Sequence, residues 1–346
     1  MKDFVGLVAW RRVESVVKKA ELRYLEAMKH RTERNWSHYN QKLKSIARID
    51  FFISEEAIEH WHYGGARKHG GKVLYSDHVI ELCLLMREYF QLAYRQTQGF
   101  VESVFAAMQL DLQIPDYTTM SRRAGTLNVN IRKASSLINH HKEPIVVAID
   151  STGLSLYTRT EWNRRKHQND KLPGHEKWRK LHVIINVETG EILDSRYTKS
   201  TANDAPELPS MLDAIPEEIS AVCGDMAYDT VNCREAIKRK KARQLIPPKK
   251  QARVSTKNRN MKKHKETLQE RDEAINYIEH NKINGDASLA RKSWKEKSGY
   301  HARSLAETCM WQIKSHSSDD LSNKSEENRA VQAKIKCKIV NLVNAA

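Results

Sequence analysis

An abrupt change of hydrophobic pattern at residue 144 constrains the fold of this chain more than any other feature of its sequence. Upstream, residues 35–132 carry apolar side chains mostly at helical spacing. Downstream, Ile145 to Ile149 form a continuous apolar run that ends at Asp150. Such a run is typical of a strand buried on both faces of a sheet. We therefore expect a mostly α-helical region followed by an α/β domain, in agreement with roughly two domains for a chain of 346 residues.

The α/β domain, predicted over residues 141–346, has an element order that indicates a mixed sheet. Apolar runs and turn residues predict strand 145–149, strand 181–187, turn 188–191, strand 192–197, helix 206–212, strand 219–224, helix 231–240 and strand 244–246. Helices follow the last strand. This order matches a ribonuclease-H-like α/β fold, in which flanking helices pack on a mixed sheet. A basic insertion is expected around residues 238–299.

The helical region, predicted over residues 35–140, contains a candidate helix-turn-helix, a motif whose second helix reads the major groove of DNA. The segment 110–116 interrupts the helical pattern, and a short helix starts near Tyr117. The candidate DNA-binding residues at the start of this helix are Thr118, Thr119, Arg122 and Arg123. The alternative is an ordinary pair of helices in a bundle. Residues 1–34 are predicted to form a basic amphipathic extension.

The charge of the chain indicates a polyanionic partner. Its formal net charge is +16, and residues 238–265 contain 13 Lys and Arg and no Asp or Glu. Such an excess attracts nucleic acid because Lys and Arg release counterions from phosphates. Around Pro247 and Pro248 this block is expected to be an exposed loop that contacts backbone phosphates. No apolar run approaches the ~18–20 residues of a membrane span. Without a visible secretory signal, we expect a cytoplasmic, nucleoid-associated protein with no membrane partner.

The cysteines do not indicate a zinc site or a disulfide framework. The sequence contains five cysteines and no Cys-x-x-Cys pair. Structural zinc ribbons need such pairs, and a disulfide framework needs an even number of cysteines. The cysteines therefore argue against a structural zinc ribbon and against a disulfide-stabilised domain.

Two of the candidate catalytic residues follow apolar strands directly. Asp150 ends the first strand of the predicted sheet and Asp225 ends the strand 219–224. Ligands and chemistry in open α/β sheets gather at the carboxyl ends of strands. A single aspartate at a strand end is common in turns and helix caps, whereas two on neighbouring strands indicate a site.

The third candidate, Glu307, belongs to a predicted helix that also carries Tyr300, Arg303 and Lys314. At ~100° per residue, the four side chains fall within a stripe about 60° wide. The stripe brings a carboxylate together with a phenol, a guanidinium and an ammonium group. Because Arg303 and Glu307 are four residues apart, they would equally suit a plain surface salt bridge.

Together the three carboxylates suit a metal-dependent nuclease. Mg²⁺ prefers oxygen ligands and is usually held by a few carboxylates and substrate phosphate. Two such ions, about 3.5–4 Å apart, can activate an attacking oxygen and stabilise a leaving oxygen. We therefore predict that the three carboxylates bind two Mg²⁺ ions, for which Mn²⁺ can substitute. Arg303 and Lys314 would neutralise phosphate charge, and Tyr300 would contact the DNA.

These residues resemble the signature of bacterial DDE transposases of the insertion-sequence-five family. From Tyr300 to Lys314 the chain fits the family pattern of Tyr, two residues, Arg, three residues, Glu, six residues and Lys without a gap. Further similar segments are 149–154, 177–182, 224–229 and 246–248 in the α/β domain, and 35–40, 75–77, 95–100 and 115–123 upstream. The resemblance covers about residues 35–342. The extension 1–34 has no counterpart, and the loop 168–176 is longer than, or different from, that of the family.

The resemblance implies a transposase with Asp150, Asp225 and Glu307 as catalytic, metal-binding residues. It would bind the terminal inverted repeats of its own element, cut at the ends and join the 3′-hydroxyl to target DNA. Pairing two ends suggests a homodimer in the synaptic complex. Two alternatives stay open. One is a domesticated metal-dependent nuclease of the same fold. The other is a non-catalytic DNA-binding relic, against which the intact set of three carboxylates argues.

Overall fold

The computed structural model describes residues 36–48, 52–53, 55–66, 73–132, 144–156, 178–257 and 261–345. The predicted extension 1–34 and the loop 168–176 lie outside the described residues. The described part forms two compact units. The sheet unit comprises residues 144–152 and 181–310, and the helical unit comprises 36–132, 153–156, 178–180 and 311–345, each with the gaps given above. The domain division at residue 140 stays a prediction.

Five helices of the helical unit precede the sheet in the chain. They are α1 (Trp36–Ile46), α2 (Glu55–Glu59), α3 (Asp77–Tyr89), α4 (Tyr94–Ala107) and α5 (Tyr117–Ala124). The centre is α3, which is buried along most of its length and packs against α4 and α5. Ser76 begins α3, because its hydroxyl accepts a hydrogen bond from the amide of Val79 and satisfies one free donor of the first turn. The helical structure predicted here is present, whereas its DNA-binding role stays a prediction.

The sheet unit is built on strands in the order β3-β2-β1-β4-β5. The strands and intervening helices are β1 (Ile145–Leu156), β2 (Trp178–Asn186), β3 (Ile192–Lys199), α6 (Glu207–Asp213), β4 (Ile219–Cys223), α7 (Val231–Arg239) and β5 (Arg243–Leu245). Parallel pairing joins β1 to β4 and β4 to β5. The turn 187–191 between β2 and β3 is too short for a parallel crossover, so these neighbours form an antiparallel hairpin. The mixed sheet with flanking helices is thus confirmed.

The core of the sheet unit forms because β1 is apolar on both faces. All residues from Ile145 to Ile149 are buried, as the continuous apolar run predicts. Ile145, Val147 and Ile149 belong to a cluster that includes residues from α6 and α7, such as Leu212 and Ile237. The two residues of β1 that alternate with them point to the opposite face and are equally buried.

The predicted basic block is more ordered than expected. Pro247 and Pro248 are buried, so the expectation of an exposed loop at these positions is wrong. The reason is that arginine side chains bind the carbonyl groups of this segment. Arg234 donates to the carbonyl of Ile246 at 3.1 Å, and Arg291 donates to that of Pro248 at 2.8 Å. Two helices follow, α8 (Gln269–His280) and α9 (Ser288–Ser298), and they pack against each other.

The last elements are α10 (Ser304–Ser317), β6 (Asp320–Leu321) and α11 (Glu326–Ala345). In the helical unit, β6 pairs with the end of β1, where Ser155 faces Asp320. There, α11 packs against α3 and buries Lys336 completely; the ammonium group bonds to Glu88. Across the part of the chain that the structure describes, no helix combines the length and the apolar character needed to cross a bilayer.

Candidate active site

The sequence pattern predicted that Asp150 ends its strand. In the structure it lies inside β1 instead. The strand continues to Leu156 because its last residues pair with β6. Pairing with β4, however, stops at Ala148, so Asp150 lies just beyond the stretch where the two strands are hydrogen-bonded. Its carboxylate is mostly buried and accepts a hydrogen bond from the amide of Ser151 at 2.9 Å.

Asp225 lies at the same end of the sheet as Asp150. Ala148 faces Cys223 at the last position where β1 and β4 pair with each other. Each aspartate lies two residues further along the chain from this position. Asp225 begins a 3₁₀ turn, Met226–Tyr228, because its carboxylate accepts a hydrogen bond from the amide of Ala227 at 2.8 Å. Parallel neighbours therefore bring both carboxylates to one edge, as the sequence predicts.

Glu307 and Arg303 reach this edge from a helix and the turn before it. Glu307 lies in the first turn of α10, whereas Tyr300 and Arg303 form a separate 3₁₀ turn. The prediction of one continuous helical stripe is therefore wrong for these two residues. A 3₁₀ turn is common at the start of an α-helix, and Gly299, whose left-handed backbone has a φ of 78°, ends α9 directly before this turn. Arg303 still bonds Glu307, with Nη1 2.6 Å from Oε1.

Arg303 joins two of the three carboxylates. Its Nη2 lies 2.9 Å from Oδ2 of Asp150, so a single guanidinium bridges Asp150 and Glu307. Burial raises the pKa of Asp150, the positive charge of Arg303 opposes that rise, and the carboxylates of Asp225 and Glu307 add to it. Asp225 and Glu307 are thus each close enough to repel Asp150, and Asp150 and Glu307 share the positive charge of Arg303. Arg303 therefore has one more carboxylate partner than the plain surface salt bridge with Glu307 would give it.

The donor chemistry at this edge suits a hard divalent cation, although the present arrangement does not close a metal site. Carboxylate oxygens are the preferred ligands of Mg²⁺. Within the described ranges, no group of three His, Cys, Asp or Glu side chains is placed to hold one ion together. Arg303 occupies the position between Asp150 and Glu307 as a positively charged stand-in. The residues therefore fit a cation in kind.

The other two residues of the predicted stripe differ in their surroundings. Tyr300 is buried, and burial raises its pKa to about 12. Its ring lies 6.3 Å from that of Trp294, and Nζ of Lys295 lies 5.1 Å from its centre. Lys314 lies further along α10, in the helical unit, and is half-buried. Their proposed DNA contacts stay predictions.

The candidate DNA-reading residues of α5 are largely engaged with their own helix end. Asp116 begins α5 and accepts hydrogen bonds from the hydroxyl groups of Thr118 and Thr119. Arg122 is exposed and bonds to the carbonyl of Thr118 at 3.3 Å. Arg123 forms a salt bridge with Asp77 of α3 and is half-buried. Thr118 and Arg122 are the exposed residues of the four, and the DNA contacts of all four stay predictions.

Three polar residues near the carboxylates, two of them buried and one half-buried, were missed by the sequence interpretation. They are His182 on β2, Asp204 before α6, and Tyr228 at the end of the 3₁₀ turn. Nε2 of His182 lies 2.8 Å from the hydroxyl oxygen of Thr198, and Nδ1 lies 3.5 Å from the Asp204 carboxylate. The available signal was a histidine within the apolar strand and a tyrosine three residues after Asp225.

A buried ionic cluster fixes the turn that carries Asp225. Asp229 accepts hydrogen bonds from Nε of Arg234 at 2.9 Å and Nε of Arg271 at 3.0 Å. Its other oxygen accepts one from the amide of Lys249 at 2.9 Å. The cluster links the turn after β4 to α7, α8 and the basic segment, and so limits the movement of Asp225.

Comparison with known proteins defines the class of this fold and site. Residues 45–159 and residues 141–342 match two families that are each described as Transposase DDE domain. Because the second match covers more than half of the chain, the protein belongs to the Transposase DDE domain family. That membership implies DNA cleavage and strand transfer, and the family generally uses divalent metal ions. The predicted DDE transposase is confirmed at this level.

Two solved structures show a weaker likeness. The Drosophila P element transposase strand transfer complex is 10% identical, with a TM-score of 0.29 over 88% of this chain and 85% of that chain. The piggyBac transposase synaptic complex with hairpin DNA is 10% identical, with a TM-score of 0.27 over 88% of this chain and 81% of that chain. Both TM-scores are too low to support an inference about fold or function.

Proposed function

We propose that this protein is the transposase of an insertion sequence of the insertion-sequence-five group. It binds the terminal inverted repeats of its element, cleaves at the ends and joins the 3′-hydroxyl to target DNA. The observation that carries the proposal is the gathering of Asp150, Asp225 and Glu307 at one edge of a mixed sheet, with Arg303 between two of them. These residues lie within the stretch that matches the family.

The three carboxylates are the residues that would hold divalent cations. Bound Mg²⁺, or Mn²⁺ in its place, would supply the Lewis acidity that activates an attacking oxygen and stabilises a leaving one, and two ions are proposed. This chain's own residues contribute orientation and charge. Asp150 is fixed by the amide of Ser151 and Asp225 by that of Ala227. Arg303 is expected to exchange its carboxylate partners for a phosphate oxygen of DNA, since guanidinium binds both.

DNA binding is proposed for several parts of the chain. Tyr300, Arg303 and Lys314 would position the DNA end, and the helix α5 with Thr118, Thr119, Arg122 and Arg123 would add sequence choice. The basic segment 238–265 would contact the phosphate backbone, in agreement with the formal net charge of +16. We also propose a homodimer in the synaptic complex and a cytoplasmic, nucleoid-associated location.

A nuclease that cuts without joining, or a non-catalytic DNA binder, are the rival functions. The test is incubation of purified protein and Mg²⁺ with a linear DNA that carries the element's own ends. Asp150→Asn is expected to abolish cleavage and joining, by on the order of 10³-fold, the scale at which a principal electrostatic group of an active site acts. Asp213→Asn, which alters an exposed ion pair with Arg239, is the matched control and should act like wild type.

The outcomes separate the three functions. Nicks at the ends together with joined products, both lost in Asp150→Asn, support the transposase. Nicks without any joined product support the nuclease. Specific binding without cleavage, equal for the wild type and Asp150→Asn, would rule out an enzyme.

A further inference from the structure

Tyr228 lies between the two chain segments that carry the aspartates. Its ring is buried, with 1% of the residue exposed, and it packs beside Gly224 and Ile149. A methyl group at Gly224 would lie 3.1 Å from Cδ2 of Tyr228 and 3.3 Å from Cγ2 of Ile149. Gly224 directly precedes Asp225, and Ile149 directly precedes Asp150. The ring therefore packs where the two aspartate-bearing segments leave the paired part of β1 and β4.

The hydroxyl group of Tyr228 is buried and has no hydrogen-bond partner among the residues that the structure describes. Burial raises the pKa of Tyr228, and the carboxylates of Asp204, Asp150 and Asp225, in that order, raise it further. A phenol that is surrounded by three carboxylates is a hydrogen-bond donor among acceptors. Buried polar groups are almost always paired, so an unpaired one requires an explanation.

Asp204, the first of the three carboxylates that act on this hydroxyl group, has His182 as a neighbour. Asp204 lies 3.5 Å from Nδ1 of His182, and His182 is in turn held by Thr198 on β3 at 2.8 Å. His182 is completely buried on β2, the neighbour of the strand that carries Asp150. Asp204 thus has a histidine within 3.5 Å, whereas Asp150 depends on Arg303 for one of its oxygens.

We propose that Tyr228 is a positioning residue of the phosphoryl-transfer site, whose hydroxyl donates a hydrogen bond to the carboxylate pair of Asp150 and Asp225 when the site is loaded with DNA and divalent cation. This inference rests on the proposed function. Withdrawal of Arg303 towards phosphate leaves Oδ2 of Asp150 without that donor, and the unpaired hydroxyl of Tyr228 is a buried donor near Asp150 and Asp225 that can replace it. The hydroxyl then fixes the orientation of the carboxylates.

Groups that orient metal ligands in this way typically change metal affinity or activity by about 10–100-fold when they are removed. Tyr228→Phe deletes only the hydroxyl and keeps the ring. Because that hydroxyl has no partner in the resting protein, its removal should leave the melting temperature unchanged or raise it. Mn²⁺ binding to the full chain, followed by electron paramagnetic resonance, should weaken by about 10-fold or more. Cleavage of end-bearing DNA should fall by a similar factor, in kcat and not in KM for DNA.

The matched control is Tyr277→Phe, which removes a hydroxyl that bonds to Ser293 at 2.9 Å in the same unit. It should leave Mn²⁺ binding and cleavage unchanged. Unaltered Mn²⁺ binding and unaltered kcat in Tyr228→Phe, with a raised melting temperature, would overturn the proposal and leave the ring as a packing group only. If the wild-type protein itself neither binds Mn²⁺ nor cleaves, the proposed function fails and this inference fails with it.

Discussion

Asp150 and Asp229 belong to the same unit and are both paired with arginine, yet their environments differ. Asp229 is sealed, with 1% of its side chain exposed, and receives hydrogen bonds from two arginines and one backbone amide. Asp150 retains 16% exposure and receives one arginine and one amide. Arg234, beside Asp229, is completely buried, whereas Arg303, beside Asp150, keeps 20% of its side chain exposed.

The difference separates a structural ion pair from an exchangeable one. A buried carboxylate with every oxygen satisfied cannot release a partner without leaving a charge uncompensated, which costs several kcal/mol. A carboxylate that shares one partly exposed arginine with a second acid can exchange that arginine for another cation at little cost. Both cases join an aspartate to an arginine within the same unit. The number of donors and the exposure of the arginine decide which pair holds the fold and which is free to bind a ligand.

The largest effect is expected from Asp229→Ala. The substitution leaves Arg234 and Arg271 buried without their counter-charge, so it should lower the free energy of unfolding by about 3–5 kcal/mol. Urea denaturation followed by circular dichroism measures this loss. The matched control is Asp213→Ala, which removes an exposed ion pair with Arg239 and should cost less than about 1 kcal/mol. Equal losses in the two variants would show that the buried cluster is not a structural ion pair.

Sequence patterns predicted the positions of the carboxylates better than the partners that make their environments differ. The apolar run Ile145 to Ile149 and the strand before Asp225 sufficed to place two carboxylates at one sheet edge, because parallel neighbours end together. The continuation of β1 to Leu156 was not predictable, because it depends on pairing with β6, more than 160 residues away in the chain.

Hydrogen bonds between distant residues account for the other errors. Arg271 reaches Asp229 across 42 residues, and Arg291 reaches Pro248 across 43. The charges of residues 238–265 led to the expectation of an exposed loop, whereas contacts of this kind bury Pro247 and Pro248. Likewise, a spacing of four residues predicted that Arg303 meets Glu307 but not that it also binds Asp150, 153 residues away. Local periodicity carries no information about such partners.

A smaller effect is expected from Arg303→Gln, which tests whether the Asp150 pair is exchangeable. If the guanidinium competes with a divalent cation for the carboxylates, its removal should tighten Mn²⁺ binding to the DNA-free protein by on the order of 2–5-fold, the scale of a partly exposed ion pair. Isothermal titration calorimetry measures the change. Cleavage of DNA should fall at the same time, because the contact to phosphate is lost.

Arg239→Gln, which alters an exposed arginine outside the site, is the control and should bind Mn²⁺ like wild type. Weaker Mn²⁺ binding in Arg303→Gln would contradict the competition. In that case Arg303 would support the carboxylates in the loaded site and would not be displaced from them.

The smallest effect concerns Glu270, which is an intermediate case: it accepts one backbone hydrogen bond, from Gln244 at 2.9 Å, and the positive charges of Arg243 and Arg234 act on it. Burial raises its pKa above the ordinary carboxyl value, and the Gln244 amide only partly opposes the rise. The folded protein then keeps a proton that the unfolded chain has lost, so stability falls as pH rises from the ordinary carboxyl pKa to the raised one.

Glu270→Gln keeps the acceptor and removes the charge, so it should become more stable than wild type as pH rises through this window and stay so at neutral pH. The gain should be less than about 1 kcal/mol because the side chain is only half-buried. Urea denaturation at a series of pH values measures it, with the exposed Glu296→Gln as a control that should show no trend. A variant that loses stability as pH rises would mean that Glu270 is charged and favourably paired. The number of donors would then not distinguish the carboxylates of this unit.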